Sequence, residues 1–157
     1  MENNDVKLLN VALGFEQFAI AAYEIAAGTG LLSEETIKTA KLFQSHHGHH
    51  VAKLRETIEK LGGEPVKALS KEEYLKQMPI EKLADQEVIV RYALSLEKKA
   101  TIAYLGTVKE LENREIAQAA ASISGDEAMH WAALRQALGM IPVHISFIPL
   151  SEDEVED

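Results

Sequence analysis

Apolar residues recur every three to four positions through most of the chain, and this periodicity is the strongest constraint on its fold. The pattern predicts four long helices, over residues 4–27, 33–61, 82–111 and 113–138. Alternation of β-branched residues is confined to residues 143–148, so a β-sheet is not expected. The sequence therefore predicts an all-α protein.

The lengths of the connections indicate how these helices are joined. Short links follow the first and third helices, whereas a long one, residues 62–81, separates the second from the third and includes a predicted short helix over 71–77. Short links join antiparallel neighbours, and one long link suits a crossover. We therefore predict an up-down four-helix bundle with a long crossover between helices 2 and 3. This domain is expected to span residues 1–140, and residues 141–157 form an apolar and then acidic tail.

Composition excludes several classes of site. The chain of 157 residues has no cysteine, which rules out disulfides, thiolate zinc sites, iron–sulfur clusters and cysteine nucleophiles. Its formal net charge of −9 disfavours binding to nucleic acid or to an anionic membrane. No basic N-terminal region precedes an apolar run, and no 18 residues in succession are apolar, so we expect neither a signal peptide nor a membrane span. A cytoplasmic protein is the expectation.

The two halves of the chain resemble each other. The pattern Glu-x-x-Ala-x-x-Ala-Tyr begins at Glu16 in the first predicted helix and at Glu97 in the third. The pattern His-x-Ala-x-Leu-Arg begins at His50 in the second helix and at His130 in the fourth. One helical hairpin is therefore used twice.

Six ionisable side chains fall on the apolar faces of these four helices, close to the helix mid-points, where a core is expected. They are Glu16, His47, His50, Glu97, Glu127 and His130. A buried carboxylate must be protonated, paired or bound to metal, because desolvation of its charge is costly, and three at one level would repel each other. One or two divalent cations would resolve the conflict, and oxygen with imidazole suits iron, manganese or zinc. The residues alone leave a metal-free, hydrogen-bonded core as the alternative.

Two tyrosines and two further histidines lie near these candidates in sequence. Tyr23 and Tyr104 follow their glutamates by two helical turns, and they are expected to pack in the core or to bond a ligand carboxylate through the hydroxyl. His46 and His49 fall away from the apolar face and are expected to be partly exposed.

The arrangement resembles the ferritin-like superfamily, whose di-metal pattern is one Glu from each of two helices and Glu-x-x-His from each of the other two. The His-x-Ala-x-Leu-Arg motifs are similar to the ferritin-like group that includes desiccation-related proteins. The resemblance covers residues 4–139 and implies that five of the six candidates are metal ligands, namely Glu16, His50, Glu97, Glu127 and His130. His47 departs from the pattern, because the family has a bridging Glu at that position.

The resemblance implies a core site for one or two ions of iron or manganese, with zinc as a further candidate, and redox chemistry with dioxygen or peroxide. A di-metal oxidase or a peroxide-consuming enzyme is the catalytic form of this expectation. The alternative is a non-catalytic or degenerate structural protein, associated with stress, that binds zinc or no metal. A homo-oligomer is expected, with a dimer favoured, and the apolar tail is suited to cover a face of the bundle or to join a dimer.

Overall fold

A computed structural model describes residues 3–151 of the chain. This part of the chain contains five α-helices and no β-strand, which confirms the all-α prediction. The helices are α1 (Asn4–Ala27), α2 (Glu34–Lys60), α3 (Lys71–Gln77), α4 (Gln86–Val108) and α5 (Arg114–Ala137). The described residues fall into two compact units, one ending at Ile89 and the other beginning at Val90. The up-down bundle with a crossover stays a prediction.

The first unit is built on the hairpin of α1 and α2, and local sequence sets the ends of both helices. Ser33 caps α2, because its side chain accepts a hydrogen bond from the backbone N–H of Thr36. At the other end of α2, Gly62 adopts φ +76°, and the N–H groups of Gly62 and Gly63 donate to the carbonyls of Glu59 and Ile58. This Schellman motif satisfies carbonyls at the helix end and turns the chain away.

The long connection after α2 is fixed to α1 at several points. The Gln17 side chain donates to the backbone carbonyl of Val66 at 3.1 Å, and the ring of Tyr74 in α3 meets that of Phe18 edge to face. A capping box between Ser70 and Glu73 starts α3, and the predicted bounds of that helix are correct.

The third long helix begins four residues later than predicted, at Gln86 instead of 82. The intervening residues Ile80–Lys82 form a 3-10 turn, and the Asp85 side chain accepts from the N–H of Val88 at 2.9 Å. An acceptor at this position satisfies a free N–H of the first helical turn, so the helix starts after it.

The second unit contains the hairpin of α4 and α5. Asn113 caps α5, and the Ser124 hydroxyl of α5 donates to the backbone carbonyl of Thr101 in α4 at 2.9 Å. Both side chains are buried. Irregular chain follows α5, and the acids predicted to end the tail, at 152–157, lie outside the described residues.

By length and composition, α1 could cross a membrane, since an 18-residue window in it has a mean hydropathy of 1.2. A core helix of a soluble protein passes the same test, so this is weak evidence for a span. Glu16 and Gln17 lie buried in this helix, at 2% and 7% exposure. Buried polar groups in mid-helix are better explained by a protein core than by lipid, because lipid offers them no partner.

Candidate metal-binding residues

Three of the predicted ligands meet in the first unit, and we call Glu16, His47 and His50 the N-terminal cluster. The Oε2 atom of Glu16 lies 2.8 Å from Nδ1 of His47 and 3.2 Å from Nδ1 of His50. Glu16 and His47 are almost fully buried, at 2% and 1% exposure, and His50 is half-buried. His47 and His50 share a face of α2 because they are three residues apart, and this face packs on α1.

The charge of the N-terminal cluster is set by one carboxylate between two imidazoles. Burial raises the pKa of Glu16, but hydrogen bonds from His47 and His50 outweigh burial, and the pKa lies below its ordinary value of 4.5. The carboxylate is therefore ionised at neutral pH and ready to bind a cation. The ring of Tyr23 stacks on that of His47, with centroids 5.6 Å apart and planes 26° apart, and so fixes the orientation of that imidazole.

The other three predicted ligands meet in the second unit, and we call Glu97, Glu127 and His130 the C-terminal cluster. The Nδ1 atom of His130 lies 3.3 Å from Oε2 of Glu97 and 3.3 Å from Oε2 of Glu127. The exposure of all three residues is 2% or less. On α4, the Thr101 hydroxyl donates to the backbone carbonyl of Glu97 at 2.8 Å, within the same buried region.

Two carboxylates on one imidazole change its protonation. Burial alone lowers the pKa of His130, but its hydrogen bonds to Glu127 and Glu97 and their negative charges raise the pKa to about 9. Without a metal ion, a proton on His130 therefore offsets part of the negative charge of this cluster.

Donor atoms within each cluster lie within 4.8 Å of one another, so these buried Glu and His groups can hold a metal ion. Two ligands on one ion at about 2.1 Å are about 3.0 Å apart in octahedral and about 3.4 Å in tetrahedral geometry. The distances of 2.8–3.3 Å between carboxylate oxygen and imidazole nitrogen match this spacing. The spacing therefore fits ligands on a shared metal ion, and it equally fits the hydrogen bonds that join these groups in the metal-free protein.

The remaining candidates, Tyr104, His46 and His49, are not members of either cluster. Tyr104 is buried at 4% exposure in α4, at the position that matches Tyr23 in the repeat. His46 is half-buried beside the ring of Phe43, and His49 is exposed, as the sequence predicted for both.

Sequence reasoning missed three charged side chains. Asp126 lies with its Oδ2 atom 3.5 Å from Nε2 of His130, and the spacing of four residues on α5 was a signal for it. The other two are Lys98 and Arg135, which are buried at 8% and 5% exposure. Arg135 is buried because its Nε donates to the backbone carbonyl of Ile141 at 2.8 Å.

A family model for the ferritin-like domain matches residues 4–140. The chain belongs to the ferritin-like domain family. No curated protein sequence matches it. The ferritin-like match covers all four long helices and both clusters, which agrees with the resemblance noted from the repeated motifs.

Proposed function

We propose that this ferritin-like protein binds one or two ions of iron or manganese through the two clusters and carries out redox chemistry with dioxygen or peroxide. The observation that carries the proposal is the spacing of buried carboxylate and imidazole donors at 2.8–3.3 Å, which fits ligands on a shared ion. The pattern of the superfamily predicts that all six side chains serve one di-metal centre, and metal stoichiometry tests this.

The chemistry would be divided between ion and protein. A bound iron or manganese ion would supply the exchange of electrons with a small oxidant. The chain supplies ligands that are already buried, and their burial limits the access of water. Because no cysteine is present, a thiolate-bound redox centre is excluded, so turnover needs an external reductant or a substrate such as peroxide that disproportionates.

A specific observation supports a second candidate, a non-catalytic member that holds zinc or no metal. His47 stands where the superfamily has a bridging carboxylate, and it lies 2.8 Å from Glu16 at 1% exposure. An imidazole normally binds a single ion, so the N-terminal cluster has two imidazoles and one carboxylate, a set that suits zinc as well as iron.

Metal content per chain tests both candidates. The protein is purified without a tag that binds metal, and its metals are counted by plasma mass spectrometry before and after reconstitution with iron, manganese or zinc. Glu16→Gln and Glu97→Gln remove one carboxylate from each cluster without a change in size, and His49→Gln, at an exposed histidine of α2, is the control.

About two equivalents of iron or manganese would support the di-metal proposal, and loss of both ions from either single variant would indicate one shared centre. One equivalent would indicate a mononuclear site. An oxygen-dependent colour in iron-loaded protein would favour redox chemistry, whereas zinc alone would favour the second candidate. Absence of metal after reconstitution would refute both metal-bound forms and leave a hydrogen-bonded polar core.

The remaining expectations on partners also stand as proposals. We propose a homo-oligomer, with a dimer favoured, located in the cytoplasm and without affinity for nucleic acid or membranes. The net charge of −9 supports the last part.

A further inference from the structure

The two arginines of the repeated His-x-Ala-x-Leu-Arg motif have different surroundings. Arg135, in the second unit, is buried, and its guanidinium donates to the backbone carbonyl of Ile141 at 2.8 Å. Arg55, at the same motif position in the first unit, is exposed. No hydrogen bond or ion pair joins Arg55 to the part of the chain that the structure describes. Arg135 thus already binds an oxygen acceptor, and the guanidinium of Arg55 is available to bind a ligand.

Arg55 lines a cavity of about 330 Å³ within the first unit, between α1, α2 and the long connection. Most of the wall is aliphatic, and it includes Ile20, Ile25, Val51 and Leu69. The charged lining residues are Arg55, Lys71 and Glu24, and Lys71 lies 3.3 Å from Glu24. The charges of Lys71 and Glu24 cancel each other, so the lining has one net positive charge, that of Arg55, in a chain whose formal net charge is −9.

We propose that this cavity binds a medium-chain aliphatic carboxylate, with the carboxylate on Arg55 and the hydrocarbon chain against the aliphatic wall. A guanidinium binds a carboxylate through two parallel hydrogen bonds, and the aliphatic wall favours an apolar body. At roughly 30 Å³ for each water-sized group, the cavity holds about ten heavy atoms, which is the size of octanoate. An inorganic anion would gain nothing from the aliphatic wall, and Arg55 would repel a cation.

Calorimetric titration of the full-length protein with octanoate tests the proposal, and butyrate, hexanoate and decanoate form a series of chain lengths. Each added methylene should tighten binding about fourfold until the cavity is full, because burial of a CH₂ contributes about 0.8 kcal/mol. Octylamine has the same apolar body and the opposite charge, and it should bind at least about tenfold more weakly than octanoate.

Two variants and one control complete the test. Arg55→Gln should weaken octanoate about tenfold or more, and Ala21→Leu, which adds three carbons to the cavity wall, should weaken long chains more than butyrate. Arg114→Gln makes the same change in charge at an exposed residue of α5 and should have no effect.

Three results would each overturn the proposal: equal affinity for octanoate and octylamine, unchanged binding in folded Arg55→Gln protein, or no saturable binding of any acid at millimolar concentration. None of these measurements depends on metal content, so they test ligand binding in the cavity independently of metal binding by the two clusters.

Discussion

Metal-free protein should lose stability as the pH rises from about 6.5 to about 9, because folded His130 gives up its proton in this range. Its pKa is higher in the folded protein than in the unfolded chain, so the stabilisation is complete below about pH 6.5 and is lost as the pH passes through about 9. An increase from 6.5 to about 9 corresponds to roughly 3 kcal/mol of folding free energy. Such an amount is a large share of the stability of a typical domain.

Urea unfolding of chelator-treated protein, followed by circular dichroism, measures this effect. The free energy of unfolding should fall with a slope of up to about 1.4 kcal/mol per pH unit, the value for loss of one proton. Glu97→Gln removes one of the two carboxylates on His130, so the decline should begin at the same pH but end at a lower pH and be smaller in total. Glu115→Gln, at an exposed acid in the first turn of α5, should retain the wild-type profile.

The pH dependence of unfolding in His130→Gln shows whether His130 is the group that loses its proton. If this variant shows the same decline with pH as the wild type, then another group titrates and the proton assigned to His130 is wrong. Nuclear magnetic resonance titration of the ring protons gives the pKa directly. A value near 6.5 for His130 in metal-free protein would refute the account of two carboxylates on one imidazole.

Two further predictions concern the site and the backbone. His47→Glu gives the first half of the chain the Glu-x-x-His motif of the second half. The variant should retain more iron, but it should be less stable without metal, because a second carboxylate is placed beside Glu16. Metal analysis and urea unfolding with chelator measure these two effects, and unchanged iron retention would contradict the role given to His47. Gly63→Ala should lower the free energy of unfolding by about 1–3 kcal/mol, because a Cβ there would lie 2.5 Å from Cγ1 of Val6. Gly48→Ala, in mid-helix with no atom within 4 Å of the added Cβ, should raise the free energy of unfolding by about 0.5–1 kcal/mol. Equal unfolding free energies for these two variants would contradict the packing argument.

The sequence predicted the long helices, and it placed the Glu and His candidates on their apolar faces, because both depend on a regular spacing; that these residues bind metal stays a prediction. Residues three or four apart share a helix face, so a charged residue on an apolar face is visible as an exception. The repeat then related Glu16 with His50 to Glu97 with His130, and the structure gives these pairs closely similar distances, 3.2 and 3.3 Å.

Features that depend on irregular chain were not predictable in this way. The start of α4 is delayed by a 3-10 turn and by the cap at Asp85, which compete with a helical pattern that extends to residue 82. The burial of Arg135 depends on the backbone carbonyl of Ile141, and no pattern of side chains encodes the position of a carbonyl in irregular chain.

The two clusters place different demands on a metal ion although they occupy matching positions of the repeat. With neutral imidazoles, the N-terminal cluster has one negative charge, from Glu16, and the C-terminal cluster has two, from Glu97 and Glu127. A divalent cation would balance the charges of Glu97 and Glu127, and it would take the place of the proton that His130 holds in the metal-free protein. Carboxylate-rich donors suit manganese and ferrous iron, whereas two imidazoles suit zinc equally well. Selectivity for a redox metal should therefore come from Glu97 and Glu127, and the imidazole of His47 is where that selectivity weakens.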